Sequence, residues 1–280
     1  MAPTAAPQQP EPASVPGADG VAGYWITPQW PVPAQVGALC TTRQGGESPA
    51  PWQGFNLGDH VGDDLQRVAR HRLQLQRLLG SRPVFMRQVH RSDVLRLQHD
   101  TPDGVEADAC IATHSGLACT VMVADCLPIL LTDRRGSFVA ALHAGWRGLC
   151  GASDSGGRGV IESTQRALQA DGVRPSDVLA WLGPCIGPAA FEVGDDVRAA
   201  FAHTQAGSAA FFTPVAQRPH KWWADLPGLA RARLAAAGID AVHGNDGSVD
   251  WCTVQQASRF FSHRRDGISG RMAACVWLRG

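Results

Sequence analysis

The sequence predicts an α/β or α+β fold. Three observations carry the prediction: one long amphipathic helical segment, several β-branched and aromatic runs too short for helices, and the mixture of both types along the chain. Asp63 to Leu79 (DDLQRVARHRLQLQRLL) opens with two acids and places Leu65, Val68, Leu75 and Leu79 at helical spacing. It stops at Gly80, where a left-handed residue costs least. The spacing predicts a helix that buries those four side chains. Val84 to Val89 (VFMRQV), Cys119 to Val123 (CTVMV) and Ser137 to Leu142 (SFVAAL) read as strands. A further strand is expected over Val178 to Leu182, ahead of Gly183-Pro184, and helices over Val160 to Ala170, Asp195 to His203 and Asp225 to Ala237.

At 280 residues the chain has room for one or two domains of about 100 to 200 residues each. From Tyr24 onward no linker rich in Pro, Gly and Ser divides it, so one catalytic domain over 23–280 is expected. Residues 1–22 carry Pro3, Pro7, Pro10, Pro12 and Pro16. They lack the basic start and apolar run of an export signal, and read as a disordered tail. The apolar run from Leu117 is cut at Asp125, far short of the roughly 20 residues that span a bilayer, so no membrane segment is expected. Lys plus Arg and Asp plus Glu each number 25, and a chain without a basic surplus is a poor reader of nucleic-acid backbones. The eight cysteines are dilute for a disulfide scaffold, and free thiols in a cytoplasmic enzyme are expected.

The residues that follow the three predicted strands are the chemical signal. His90 follows the first, Asp125-Cys126 the second, and His143 the third, ahead of Ala144-Gly145-Trp146-Arg147-Gly148. Two imidazoles and a thiolate suit Zn²⁺ and leave its fourth tetrahedral position open, as in catalytic sites. No CxxC or HExxH spacing sets them on one face, and a strand-end His or a buried Cys is the plain alternative for each. Arg43, beside Gly45-Gly46, and Arg147 are candidate anion holders, with surface ion pairs as the alternative. Gly183-Pro184-Cys185-Ile186-Gly187-Pro188 is a rigid turn that could set Cys185 at a pocket rim or simply bury it, and Glu192 follows before a helix.

Taken together and in order, TTRQGG, FNLGDHVGDD, RQVH, ADCLPILL, HAGWRG, GPCIGPAAFEVGDDV and RFFSHRRDGISGR make the chain resemble the YfiH family over about Tyr24 to Gly280. Members of that family have been called laccase-domain proteins, polyphenol oxidases and purine nucleoside phosphorylases. The resemblance implies a four-layer α-β-β-α fold with mixed sheets, shared with deamidating toxins, and a zinc held by His90, Cys126 and His143. It implies phosphorolysis of adenosine, inosine, guanosine and methylthioadenosine with inorganic phosphate as co-substrate, and hydrolytic deamination of adenosine. Asp125, Arg43, Arg147 and Cys185 are expected as catalytic groups, and Asn56, Gln88 and Glu192 as substrate-binding groups. The chain departs from the family's usual pattern at Gln44, at His263 and in the Gly/Ser-rich stretch 150–159.

Two other chemistries fit the same residues. A copper-dependent polyphenol oxidase follows from the family's older name, although none of the ten histidines stands two residues from another, as multicopper centres require. A metal-free Cys126–His143 pair would make an amidase, which fits a family linked to peptidoglycan precursor editing.

Overall fold

The computed structural model describes residues 25–151 and 157–280 and the backbone of 15–16 and 22–23. The rest of the expected tail lies outside the described residues, as do 152–156 of the Gly/Ser-rich stretch. The chain runs through β1 (Trp25–Ile26), β2 (Val36–Thr41), α1 (Leu65–Leu79), β3 (Arg82–Phe85), β4 (Val94–Arg96), β5 (Ala109–Ala112), β6 (Leu117–Val123), β7 (Leu127–Asp133) and β8 (Val139–Ala144). It continues with α2 (Trp146–Cys150), α3 (Val160–Ala170), β9 (Val178–Leu182), β10 (Glu192–Gly194), α4 (Asp195–Thr204) and β11 (Phe212–Pro214). It ends with β12 (Lys221–Ala224), α5 (Leu226–Ala236), β13 (Ala241–Gly244), α6 (His263–Asp266) and β14 (Met272–Leu278).

Two mixed sheets carry the fold. One has the strand order β1-β2-β14-β6-β3, the other β13-β9-β7-β8-β5-β4, and a small third sheet runs β10-β12-β11. Strand alternation sorts the side chains into layers. Val139 and Ala141 of β8 face a core shared with Cys119 and Val121 of β6 and with Ala274 and Val276 of β14. Ala140, Leu142 and Ala144 point the other way and pack with Val160 and Leu168 of α3 and Leu229 of α5. On the far face of the first sheet, Ala118, Met122, Ala273 and Cys275 meet Leu75 and Leu79 of α1. The order is therefore α-β-β-α, as the resemblance implied, and β6, β7, β8 and β14 are buried at every residue.

The α1 helix begins as expected, with the Asp64 carboxylate accepting the Arg67 N–H at 2.8 Å, and Gly80 closes it at φ 63°. Its buried stripe is Val68, His71, Leu75 and Leu79, while Leu65 is 63% exposed. The correction follows from spacing: positions 68, 71, 75 and 79 complete the stripe, and Leu65, in the first turn, falls outside the contact with the sheet. The strand expected over Val84 to Val89 is instead β3, which stops at Phe85. Beyond it, the Gln88 side-chain amide takes over the ladder's role, bonding Met122 O at 2.8 Å and Met122 N at 2.7 Å. Among the described residues no helix is long and apolar enough to cross a membrane, and all eight cysteines are free thiols.

Candidate metal centre

The chain passes from the first sheet to the second in three residues, Ala124, Asp125 and Cys126, between β6 and β7. The corner is tight enough to hold Asp125 at φ 101°, a conformation an L-residue adopts only when its surroundings compensate. Its carboxylate accepts the Thr253 hydroxyl at 2.6 Å and the Arg264 N–H at 2.7 Å, and its carbonyl accepts the Ile186 N–H at 2.9 Å. Three separate segments thus pin the corner that presents Cys126.

The two histidines arrive from either side. His143 sits near the end of β8, on the same strand face as Val139 and Ala141. His90 lies on the segment between β3 and β4 at φ 61°. Both depend on Asp108, a fully buried carboxylate that bonds His143 Nδ1 at 2.8 Å and the N–H groups of Val89, His90 and Arg91 at 3.2, 2.9 and 2.7 Å. With Nδ1 donating to Asp108, Nε2 is the His143 nitrogen left to face Cys126. One ligand atom from each of His90, Cys126 and His143 lies within 4.8 Å of the others, and Cys126 Sγ is 3.8 Å from His90 Nε2.

That geometry fits a tetrahedral ion: Zn–S of about 2.3 Å and Zn–N of about 2.0 Å separate sulfur and nitrogen ligands by about 3.5 Å. The electrostatics fit as well. Burial pushes the Cys126 thiol up, but the His143 and His90 imidazoles more than offset it and bring it down to about 6. Burial opposes charge on His143, yet the Cys126 thiolate and Asp108 raise it to about 9. Asp108 keeps its charge although burial opposes it, because its donors hold it below the usual carboxylate range. Gly145 completes the enclosure, since a Cβ there would lie 2.9 Å from His90 Cδ2 and 3.1 Å from Cys126 Sγ.

The His90, Cys126 and His143 side chains line a cavity of about 740 Å³, within the range of small-molecule sites. Gln88 and Asp125 line it, together with Phe85, Met86, Met122, Trp146, Ile186 and Phe191. The other expected residues lie elsewhere. Arg43 is tied to backbone carbonyls, Nη1 to Ala257 O at 3.0 Å and Nη2 to Gln53 O at 3.4 Å. Asn56 is fully buried, bonding Gly58, Asp63 and the Arg271 N–H. Arg147 stacks 4.4 Å from the Trp146 ring in a second cavity that shares only His90 and Trp146 with the first. Glu192 pairs with Arg218. Cys185 is fully buried with its thiol pushed up by burial, and the turn instead presents Ile186 to the cavity.

Asp108, Arg264 and Arg271 were not among the expected site residues, although a lone acid inside the apolar run Ala107 to Ala112 is itself a signal that partners await it. The departure at His263 falls on the cavity wall, whereas Gln44 lies outside it.

A family model described as multi-copper polyphenol oxidoreductase laccase matches residues 37–279. A Pseudomonas aeruginosa protein named purine nucleoside phosphorylase is 47% identical over 257 residues, covering 91% of this chain and 98% of its own. The Escherichia coli purine nucleoside phosphorylase YfiH is 45% identical, covering 90% and 98%. A Neisseria meningitidis protein of solved structure superposes with a TM-score of 0.80 at 42% identity, covering 91% of this chain and 99% of its own. On sequence, fold and site together, the chain belongs to the YfiH family.

Proposed function

We propose that the protein is a zinc-dependent purine nucleoside phosphorylase that also deaminates adenosine by hydrolysis. The observation that supports this most is the convergence of His90, Cys126 and His143 on the floor of a cavity of nucleoside size, in a chain whose relatives carry the name purine nucleoside phosphorylase. Adenosine, inosine, guanosine and methylthioadenosine are the substrates we assign, with inorganic phosphate as co-substrate.

In phosphorolysis an oxygen of phosphate bonds to C1′ as the bond from C1′ to the base breaks. The base leaves with the electron pair and takes up a proton, yielding free base and ribose 1-phosphate. A bound zinc would supply Lewis-acid chemistry at the cavity floor. The chain's own part is positioning. Apolar walls at Phe85, Met86 and Met122 exclude water and offer surfaces for the base. Fixed charges along the wall stabilise charge that develops during bond breaking without having to reorganise. Asp125 holds the corner under Cys126 and is the nearest carboxylate in sequence to the metal site, while Gln88 keeps the neighbouring wall in register with β6.

Two observations favour other chemistries at the same residues. The family model's description points to copper, which N and S ligands bind more tightly than zinc. The depressed Cys126 thiol beside His143 points to a metal-free nucleophile pair. Metal analysis of protein grown without added copper, followed by chelator stripping and reloading, separates all three. The proposal expects bound zinc, loss of adenosine and phosphate turnover on stripping, and recovery with zinc. Recovery with copper alone, or activity untouched by the chelator, would contradict it.

A further inference from the structure

Four arginines line the main cavity, and their partners divide them into two kinds. Arg72 is held 3.1 Å from Asp59 and lies 4.0 Å from the Phe85 ring centroid, and Arg87 is 2.7 Å from Glu106. Arg264 and Arg271 have no carboxylate ion pair among the described residues. We propose that these two guanidinium groups form the binding site for the inorganic phosphate that the proposed reaction consumes. This rests on the phosphorylase reading and replaces Arg43 and Arg147 as the anion holders.

Arg271 is oriented but not satisfied. Its Nη1 donates to Ser269 O at 2.9 Å and Gly270 O at 3.1 Å, which fixes the plane of the fork and leaves the edge formed by Nε and Nη2 for another acceptor. Space for the stem is built in, because a Cβ on Gly58 would fall 2.7 Å from Arg271 Cγ. Burial works against its charge, and the offsetting groups are Cys126 and Asp125, so the guanidinium stands within their field at the metal end of the cavity. Arg264 is exposed where it lines the cavity, with its guanidinium carbon 5.5 Å from the Phe191 ring centroid. Its Nη1 donates to Glu192 O at 3.0 Å, and its backbone N–H, not its guanidinium, engages Asp125.

Neither nearby anion answers the two arginines. Asp125 is already taken by Thr253 and by the Arg264 N–H, and the Cys126 thiolate belongs to the metal position. With a divalent ion in place, the ion and the two guanidinium groups outweigh the Cys126 thiolate and the Asp125 and Asp108 carboxylates by about one charge, so this end of the cavity favours an anion. An arginine does not shed its proton, so a half-buried one such as Arg271, without a carboxylate, is best answered by an anionic ligand. Arg43 cannot supply that answer, because both its terminal nitrogens are spent on carbonyls away from the cavity, and Arg147 opens into the second cavity.

The test is calorimetric titration of inorganic phosphate into the protein carrying its metal, without nucleoside, for wild type and for Arg271→Met, Arg271→Lys, Arg264→Met and Arg147→Met. The expected result is a Kd raised about 10- to 100-fold in Arg271→Met and Arg264→Met and by a smaller factor in Arg271→Lys, which keeps charge but loses the fork, with Arg147→Met unchanged. Arg271→Lys and Arg264→Met keep the test decisive if Arg271→Met fails to fold. Unchanged affinity in the folded Arg271 and Arg264 variants, or a loss confined to Arg147→Met, would overturn the assignment. Ribose 1-phosphate formation with wild-type phosphate affinity in those variants would overturn this site and leave the phosphorylase reading standing. Arg271-dependent phosphate binding without any turnover would uphold this site and remove that reading.

Discussion

His143 Nδ1 lies 2.8 Å from Asp108 Oδ1, and the same buried carboxylate gathers the N–H groups of three successive residues, Val89, His90 and Arg91. One acid therefore sets the ring of His143 and the left-handed backbone of His90, two of the three candidate metal ligands. In Asp108→Asn the amide keeps a single acceptor and turns its NH₂ toward donors. The expected outcome is a metal affinity about 10- to 100-fold weaker, measured by competition with a chromogenic chelator. Wild-type affinity in the folded variant would show that His90 and His143 are positioned without it.

Gly145→Ala should expel metal for a purely steric reason. The added methyl would lie 2.9 Å from His90 Cδ2, closer than real Cβ contacts come, and 3.1 Å from Cys126 Sγ, tighter than most, so the His90 ring must shift. Metal content per chain should fall well below that of wild type while the fold, followed by far-ultraviolet circular dichroism, persists. Full occupancy with wild-type turnover would refute the close approach.

Cys126 and Cys185 should separate cleanly. Cys126→Ser removes a metal ligand and is expected to abolish tight metal binding. Cys185→Ala only trims a buried thiol that bonds Ile186 O and Asn245, at a cost of roughly 1 kcal/mol in urea unfolding. A tenfold fall in kcat for a stable Cys185→Ala protein would return that thiol to the reaction.

Much of the fold was legible because its signals are local. Val178–Leu182 and Val160–Ala170 match their predicted spans, α4 runs one residue further than expected, and α5 is one residue shorter at each end. The cluster of His90, Cys126 and His143 was legible too, since each follows a recognisable apolar run. Other features depend on long-range pairing. The β14 strand lies between β2 and β6, 149 or more residues from either, counted from Val123 to Met272 at the nearest pair, and nothing local in Met272–Leu278 announces its neighbours. Arg43 looked like an anion holder because it stood beside glycines, and Asn56 like a site residue through the family resemblance, whereas Arg43 donates to the carbonyls of Gln53 and Ala257 and Asn56 bonds Gly58, the Asp63 carboxylate and the Arg271 N–H. Cys185 was one residue away from the side chain that faces the cavity, an offset that turn geometry decides.

His71 supplies a pH dependence that stands apart from the metal site. Its ring is buried on α1, with Nε2 accepting the Glu47 N–H at 2.9 Å and Nδ1 bonding Asn56 O at 2.8 Å, so burial lowers its pKa and favours the neutral form. The unfolded chain, with a His pKa of about 6.5, binds the proton more readily. His71 should therefore contribute stability fully above about pH 6.5 and lose that contribution as the pH falls toward its lower folded value. Urea unfolding across this range should show the slope in wild type and a shallower one in His71→Gln. Equal slopes would assign the dependence to other groups.

Phosphorolysis at this site is tested most directly by giving zinc-loaded protein adenosine or inosine with and without inorganic phosphate and resolving the products by chromatography and phosphorus NMR. The account predicts free base and ribose 1-phosphate only when phosphate is present, with inosine formed from adenosine in either case. Neither product from a folded, zinc-occupied protein would contradict it.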